Sequence, residues 1–547
     1  MSLTSMSLTL RDVFQALDYG TPRGGGGVTF PHVSTDTRTL QPGDLFVALT
    51  GPATDGHQFI PHALRAGAGG LVVSQPVVAS LDTPVLRVPD TEVAYGLLAR
   101  HWRDRFDIPV IGVTGSVGKT TVKEMLAAAL SPLGPILKTA ASQNNETGVP
   151  KALLQLTPDH RAAVIEMGMR GSGQIAYLCG IARPTLGVIT VIADNHLEML
   201  GSWDAIADAK GELLESLPAE GLAVLNADDP YLPRLRAKTA ARIVTYGTAP
   251  TPGPSPASGR GESDKDANAG GSCSLPSVPP LPLAGEGPGV GGSWTAENIA
   301  SADDGWRFTV RGVSVEIASL SRHDIGNALA ALAVADALGV PLADAAHALR
   351  GYIPPPMRME IVKTNSGVTI LNDAYNAAPA SVKSALETLS AYPGGRKIAF
   401  LGDMRELGAR ADEAHRELGE VIAELGGLDA LYTVGGLAAQ IPNAAQRFAD
   451  SDEAARFARE ALAPQPGDVI LVKASRAVAL EKVVAALAGE PTPLLRDKSL
   501  RTAPPEAGGE GVSEKAGVPT SSSSRSGRTP VNEVNKEVGF PSSEAEP

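Results

Sequence analysis

The chain has 547 residues, a net charge of −13 and 43% hydrophobic residues, enough for about three domains with sizeable cores. An acidic balance argues against a general binder of nucleic acid or of anionic membrane, so an anionic ligand has to be held by local features. Two cysteines, Cys179 and Cys273, make no disulfide framework and suit a reducing, cytoplasmic compartment. No signal peptide and no membrane span are expected, because the N-terminus lacks a basic region before an apolar core and no apolar run nears the roughly 20 residues of a span.

Residues 1–108 mix short strand-like and helical stretches, such as "GDLFVAL" and "GGLVVS", and predict a small mixed α/β domain. In 109–352 the apolar runs "IPVIGVTG", "AAVIEMG", "TLGVITVI" and "GLAVLNAD" alternate with helical stretches, the pattern of a parallel sheet flanked by helices. A second alternation in 353–490, including "GVTILND", "KIAFLGD", "ALYTVGG" and "DVILVKAS", predicts a Rossmann-like α/β domain. The expected fold class is therefore α/β in three domains, with a phosphate-loop ATPase-like sheet at the centre. Residues 249–293 and 491–547 are rich in Pro, Gly and Ser and read as a disordered insertion and a disordered tail. Neither segment can bury enough apolar area to offset its ordering entropy. Deleting both is expected to leave steady-state turnover nearly intact; a large loss from the truncated, folded protein would give one of them a role.

The stretch "IGVTGSVGKTT", Ile111 to Thr121, lies between a buried strand and the helical run "TTVKEMLAAAL". Gly115 and Gly118 let the backbone of Thr114, Ser116, Val117 and Thr121 wrap a phosphate, and N–H groups at a helix start point at it. Lys119 supplies a point charge to terminal phosphates and Thr120 a hydroxyl to Mg²⁺. The loop is a variant: Val113 stands where the usual pattern has glycine. Further ligands are expected at neighbouring strand ends. Glu166 closes "AAVIEMG", and the turn after "LGVITVI" holds Asp194, Asn195 and His196; Glu166 and His196 are the metal candidates. Lys210 falls on the helical stripe Ile206, Leu213, Leu214 and Leu217, where a lysine either snorkels or is functional. Burial favours its neutral, reactive amine.

The strings "TGSVGKTT", "NNETGVP", "VIEMG", "HLEMLGS", "AKGEL", "HDIGNALAA", "NDAYNAAPASVKSAL", "LGDMRELG" and "GDVILVKASR" occur in this order. The set resembles the Mur ligases, ATP-dependent amide-forming enzymes of peptidoglycan precursor synthesis. The N-terminal "STDTRTLQPGDLFVALTG" resembles the branch that adds D-alanyl-D-alanine to a UDP-N-acetylmuramoyl-tripeptide. The resemblance implies one domain each for the UDP-sugar (1–108), ATP (109–352) and the incoming amine (353–490). It implies ATP and Mg²⁺ as cofactors, with Lys119 and Thr120 on the phosphates and metal, and Glu166 and His196 as metal ligands. Lys210 resembles a lysine that family members carbamylate into a carboxylate-like ligand. Asn327 would contact adenine, and Arg358 and Asp373 would reach the nucleotide from the third domain. Thr37 and Arg38 would bind the uridine diphosphate end, Asn145 the muramoyl part, and Tyr375 and Asn376 substrate. Lys119, His196, Lys210 and Arg358 are the catalytic candidates. The two small molecules are the expected partners of a monomer.

The chain also departs from the family. Met357 and Ala474 stand where glycine is common, Asp324 where Asn is usual, and Asn372 and Ala378 where Asp and Asn are common. Alternatives are a ligase adding one amino acid to a shorter precursor, a folylpolyglutamate synthase, or a nucleotide-driven switch without ligation. A switch would not need Glu166, His196 and Lys210 around one phosphate loop.

Overall fold

Seven strands, every neighbouring pair parallel, form the central sheet of the computed structural model. The described residues are 7–489 without 23–26, 52–53, 78–82, 194–196, 249–292 and 303–304. His196, the expected tail and all of the expected insertion except Ser293 therefore lie outside them. The central order is Trp294–Thr295, Arg242–Gly247, Leu222–Asn226, Leu186–Ile189, Val110–Thr114, Ala162–Glu166, Ile136–Lys138. These runs are apolar without alternation because the sheet is covered on both faces. Ala163 and Ile165 pack into one core, while Ala162 and Val164 pack into the other.

The order matters for chemistry. Val110–Thr114, which feeds the phosphate loop, lies between Leu186–Ile189 and Ala162–Glu166, with Val113 opposite Glu166 and Thr114 opposite Ile189. Both candidate metal-bearing strand ends thus flank the loop. After the loop, helix Lys119–Ala129 buries Val122, Met125 and Leu126 against helix Asp324–Ala337 and the sheet. Helix Trp203–Glu215 starts at Ser202, whose hydroxyl accepts from Ala205 N at 3.1 Å. Its apolar stripe, Ile206, Leu213 and Leu214, is fully buried, and Lys210 is buried with it.

One feature was not expected from the alternation in 109–352. Glu297–Ala302, Gly305–Val310 and Val313–Ile317 form a separate antiparallel sheet. Its second turn is Arg311–Gly312, both at positive φ (48° and 79°), the two-residue geometry that matches strand twist in a hairpin.

Towards the C-terminus a six-stranded sheet runs Glu360–Lys363, Thr369–Asp373, Val469–Lys473, Lys397–Gly402, Ala430–Val434, Gln446–Phe448. Only the first pair is antiparallel. Towards the N-terminus, Val33–Ser34, Leu45–Val47, Gly70–Val73 and Val85–Arg87 make a parallel four-stranded sheet. Leu8–Thr9 pairs with Thr29–Phe30 beside it as an antiparallel ribbon. Among the described residues no helix is long and apolar enough to cross a membrane.

Candidate active site

The phosphate loop owes its shape to two glycines. Gly115 sits at φ +144° and Gly118 at φ +87°, a half of the map that side chains disfavour. A Cβ on Gly115 would lie 1.9 Å from Thr190 Oγ1, and one on Gly118 would lie 3.0 Å from Asn327 Oδ1. The loop is stitched to the end of strand Leu186–Ile189. Ser116 N donates to Val191 O at 2.7 Å, the Ser116 hydroxyl to Ala193 O at 3.0 Å, and the Thr190 hydroxyl to Val117 O at 2.5 Å. Gly115 through Thr121 all line the main cleft, whose volume is about 1040 Å³. Thr114 does not line it, and its buried hydroxyl donates to Met167 O at 2.9 Å.

Two lysines converge on one carbonyl. Lys119 Nζ donates to Gly115 O at 2.7 Å and to Ser116 O at 3.2 Å, and Lys210 Nζ donates to Gly115 O at 3.1 Å. Burial lowers the Lys119 pKa, opposed by the Glu166 carboxylate and reinforced by Arg358. Burial, and then the charge of Lys119, push Lys210 well below the usual lysine range. Lys210 is buried to its tip and does not snorkel.

Glu166 is not a solvated strand end; it is 1% exposed. Its Oε1 accepts from the Thr120 hydroxyl at 3.2 Å and from Asn144 Nδ2 at 2.8 Å, while its buried Oε2 accepts no hydrogen bond. Among the described residues no group of three His, Cys, Asp or Glu gathers as a metal set. The Thr120 hydroxyl and the Glu166 carboxylate are neighbouring oxygens in the cleft that Lys210 also lines.

The C-terminal stretch contributes to the same cleft. Arg358, Asp373, Tyr375, Asn376 and Lys473 line the cleft. The Arg358 guanidinium lies over the Tyr375 ring, 4.3 Å from its centroid. Asp373 accepts from Met359 N at 3.2 Å through Oδ1, and its Oδ2 pairs with the buried Lys473. Lys473 also donates to Asn376 O at 2.9 Å. Met357 has φ +60°, which accounts for glycine suiting that position better. At Asp324, burial raises the carboxyl pKa; the side chain accepts from the Ser319 hydroxyl and, at 2.7 Å, from Asn327 Nδ2.

The sugar-binding expectations divide. Asn145 lines the cleft, where its Oδ1 accepts from Gly148 N at 3.0 Å and from the Thr147 hydroxyl at 3.2 Å. Thr37 and Arg38 are not among the lining residues, and the exposed Arg38 pairs with Asp36 at 2.6 Å; Thr35 lines the cleft instead. Sequence reasoning passed over three groups near the reacting region. Asn144 lay beside Asn145 in a quoted string, Lys473 lay within "LVKAS", and Lys123 follows Lys119 by one helical turn, but spacing alone singled out none of them.

Three stretches match Mur ligase domains: 29–103 the Mur ligase family catalytic domain, 113–255 the middle domain, and 357–476 the glutamate ligase domain. A UDP-N-acetylmuramoyl-tripeptide–D-alanyl-D-alanine ligase of Synechocystis sp. is 39% identical over 476 residues, 84% of this chain and 92% of that protein. The ligase of the same name from Escherichia coli is 36% identical over 470 residues, 85% and 95% of the two chains. The crystal structure of MurF from Acinetobacter baumannii superimposes with a TM-score of 0.74 at 28% identity, covering 89% of this chain and 99% of that one. MurF ligase from Thermotoga maritima in complex with ADP superimposes with a TM-score of 0.68 at 27% identity, covering 84% and 97%. With such identity along nearly the whole of its relatives, the chain belongs to the Mur ligase family.

Proposed function

We propose that this chain joins D-alanyl-D-alanine to a UDP-N-acetylmuramoyl-tripeptide, converting ATP to ADP and phosphate by way of an acyl phosphate. The product is the pentapeptide precursor of peptidoglycan. The observation that carries this reading is the single cleft of about 1040 Å³ lined at once by the phosphate loop, by Thr35 and Asn145, and by Arg358, Asp373 and Asn376. A ligase needs nucleotide, acid and amine in one enclosure, whereas a nucleotide switch needs only the first.

A carboxylate does not acylate an amine unaided, because its oxygen is a poor leaving group. Transfer of the γ-phosphoryl group forms a new O–P bond and releases ADP; attack by the amine then forms the C–N bond and expels phosphate. Carboxylate and phosphate repel each other, so the cleft has to neutralise charge. Lys119 and Arg358, which both line the cleft, are the cations that would do this. Backbone N–H groups from Gly115 to Thr120 hold the phosphates, and Asn327, beside Gly118, is the candidate contact for the base. In this reading residues 1–108 hold the UDP-sugar, 109–352 ATP, and 353–490 the amine. The enzyme works as a cytoplasmic monomer.

The residues present fit a divalent cation. Glu166 keeps one buried oxygen free of hydrogen bonds, and Thr120 stands beside the other at 3.2 Å. A magnesium ion bound there would draw charge from the phosphate oxygens as the acyl phosphate forms. Thr120 and Glu166 would hold it, with His196 and a carbamylated Lys210 as further ligands. A neutral amine at Lys210 is what addition to CO₂ requires: an N–C bond forms and a proton is lost.

The test is phosphate release from ATP and UDP-N-acetylmuramoyl-tripeptide with different amines. D-alanyl-D-alanine is expected to exceed meso-diaminopimelate or D-glutamate by at least about 100-fold. Equal rates with a single amino acid would move the chain to another branch of the family. Phosphate release indifferent to any amine would favour the switch.

A further inference from the structure

We infer that Lys123 is a positioning residue for the cation site, holding Glu166 and the 139–147 loop in the arrangement that presents the carboxylate to a divalent cation. This rests on the nucleotide and cation reading given above. Lys123 lies one turn beyond Lys119 on helix Lys119–Ala129, is fully buried, and does not line the cleft. A long cationic side chain removed from water is costly unless strongly paired. Its ammonium has three partners: Ala141 O accepts at 2.5 Å, Glu124 Oε1 lies at 3.3 Å and Glu166 Oε2 at 3.6 Å. Glu124 also pairs with Lys138, so its charge is already matched at the surface. Lys123 is left as a countercharge that faces Oε2 of Glu166 directly, whereas Lys119, which also feels that carboxylate, donates to Gly115 O and Ser116 O.

The two oxygens of Glu166 are treated differently. Oε1 is occupied by Thr120 and Asn144, whereas Oε2 accepts no hydrogen bond. At 3.6 Å the ammonium attracts Oε2 without taking up its lone pairs, which stay available to a metal. The same ammonium holds the carbonyl of Ala141, a non-glycine residue at φ +46°. That residue opens the turn leading to Asn144, which is anchored in turn by Gly168 N donating to its carbonyl at 2.8 Å. Lys123 therefore governs Oε2 directly and Oε1 through the loop that carries Asn144. An alanine, or any short apolar residue, would pack in the helix but would do neither.

The experiment measures ADP affinity of the full chain by calorimetry with and without Mg²⁺, a readout separate from turnover. Wild type is expected to bind ADP more tightly with Mg²⁺. In Lys123→Met, metal-free ADP affinity should stay within about threefold, because the loop from Gly115 to Thr120 is intact, while the Mg²⁺-dependent gain falls at least about tenfold. Lys123→Arg, which keeps a cation and its donors, should recover most of that gain. If Lys123→Met does not fold, Lys123→Gln carries the same expectation, since it loses the charge but keeps a donor. An unchanged gain would mean that Lys123 only packs. A larger gain would mean that it competes with the metal. Equal losses with and without Mg²⁺ would mean a general structural role. Any of these overturns the inference. Absence of a Mg²⁺ effect in wild type would instead overturn the cation reading beneath it.

Discussion

Replacing Lys210 with alanine is expected to lower kcat by about a thousandfold while leaving ADP affinity within a few-fold, the signature of a group needed for chemistry and not for holding the nucleotide. The nucleotide is held by Gly115 to Thr120, which the substitution does not touch. Lys210 is 1% exposed, sits on the apolar stripe of its helix, and donates to Gly115 O at 3.1 Å. A simple cation is poorly suited there, since Lys119 already contacts the same carbonyl. Lys210→Arg keeps a positive charge but cannot be carbamylated, and should be as inactive as the alanine variant. Small carboxylic acids at high concentration should restore part of the alanine variant's rate by standing in for the carbamate. An arginine variant turning over like wild type would reduce Lys210 to a plain cation.

The pH dependence has a definite sign. Burial and the neighbouring Lys119 hold the Lys210 pKa well below its ordinary value of 10.5. Between the lowered folded value and 10.5, the unfolded chain binds more protons than the folded one, so this group makes stability rise with pH across that window. Below it the folded amine must protonate while buried, and the cost is carried in full. Reactivation of CO₂-depleted enzyme at a fixed concentration of dissolved CO₂ should accordingly quicken as pH rises towards the folded value and level off above it, because only the neutral amine adds to CO₂. A reactivation rate independent of pH would argue against carbamylation.

Gly115→Ala is expected to abolish measurable ATP binding and to lower Tm by several degrees. The new Cβ would lie 1.9 Å from Thr190 Oγ1 and 3.1 Å from Thr190 Cβ and N, so the strand end or the loop has to move. The backbone at φ +144° adds strain of about 1–3 kcal/mol for a residue with a side chain. Thr190→Ala in the same chain removes the hydroxyl and should recover part of the stability. Binding should recover less, because Thr190 also donates to Val117 O and so helps to shape the loop. Calorimetry for ATP and a thermal melt for each variant test this. A single variant with unaltered ATP affinity would show that the loop does not cradle phosphate.

The phosphate loop was legible in the sequence because its determinants are local. A buried strand, two glycines at the bends and a helix start lie within eleven residues, and each follows from backbone sterics and hydrogen bonding. The parallel sheets were legible for a similar reason, since strands covered on both faces read as continuous apolar runs. The antiparallel sheet of Glu297–Ala302, Gly305–Val310 and Val313–Ile317 was missed because its strands are partly exposed, and mixed apolar and polar positions say little about which neighbour each strand will choose.

What the sequence by itself determined is the kind of residue available: a lysine on an apolar helical stripe, a carboxylate at a strand end, a glycine-rich turn before a helix. Which of these meet was decided by strand order. Thr120 and Glu166 are 46 residues apart and Lys210 and Gly115 are 95 apart, yet each pair is in hydrogen-bond contact because Val110–Thr114 is laid down between its two neighbours. Tertiary structure also placed Thr35 on the cleft and left Arg38 at the surface with Asp36. It buried Lys123 behind Glu166 as well, a position that no periodicity announces. Local sterics act within a few residues and are written in the chain, whereas distant side chains meet only when burial of apolar faces selects one packing of the sheet, and that selection belongs to the whole fold.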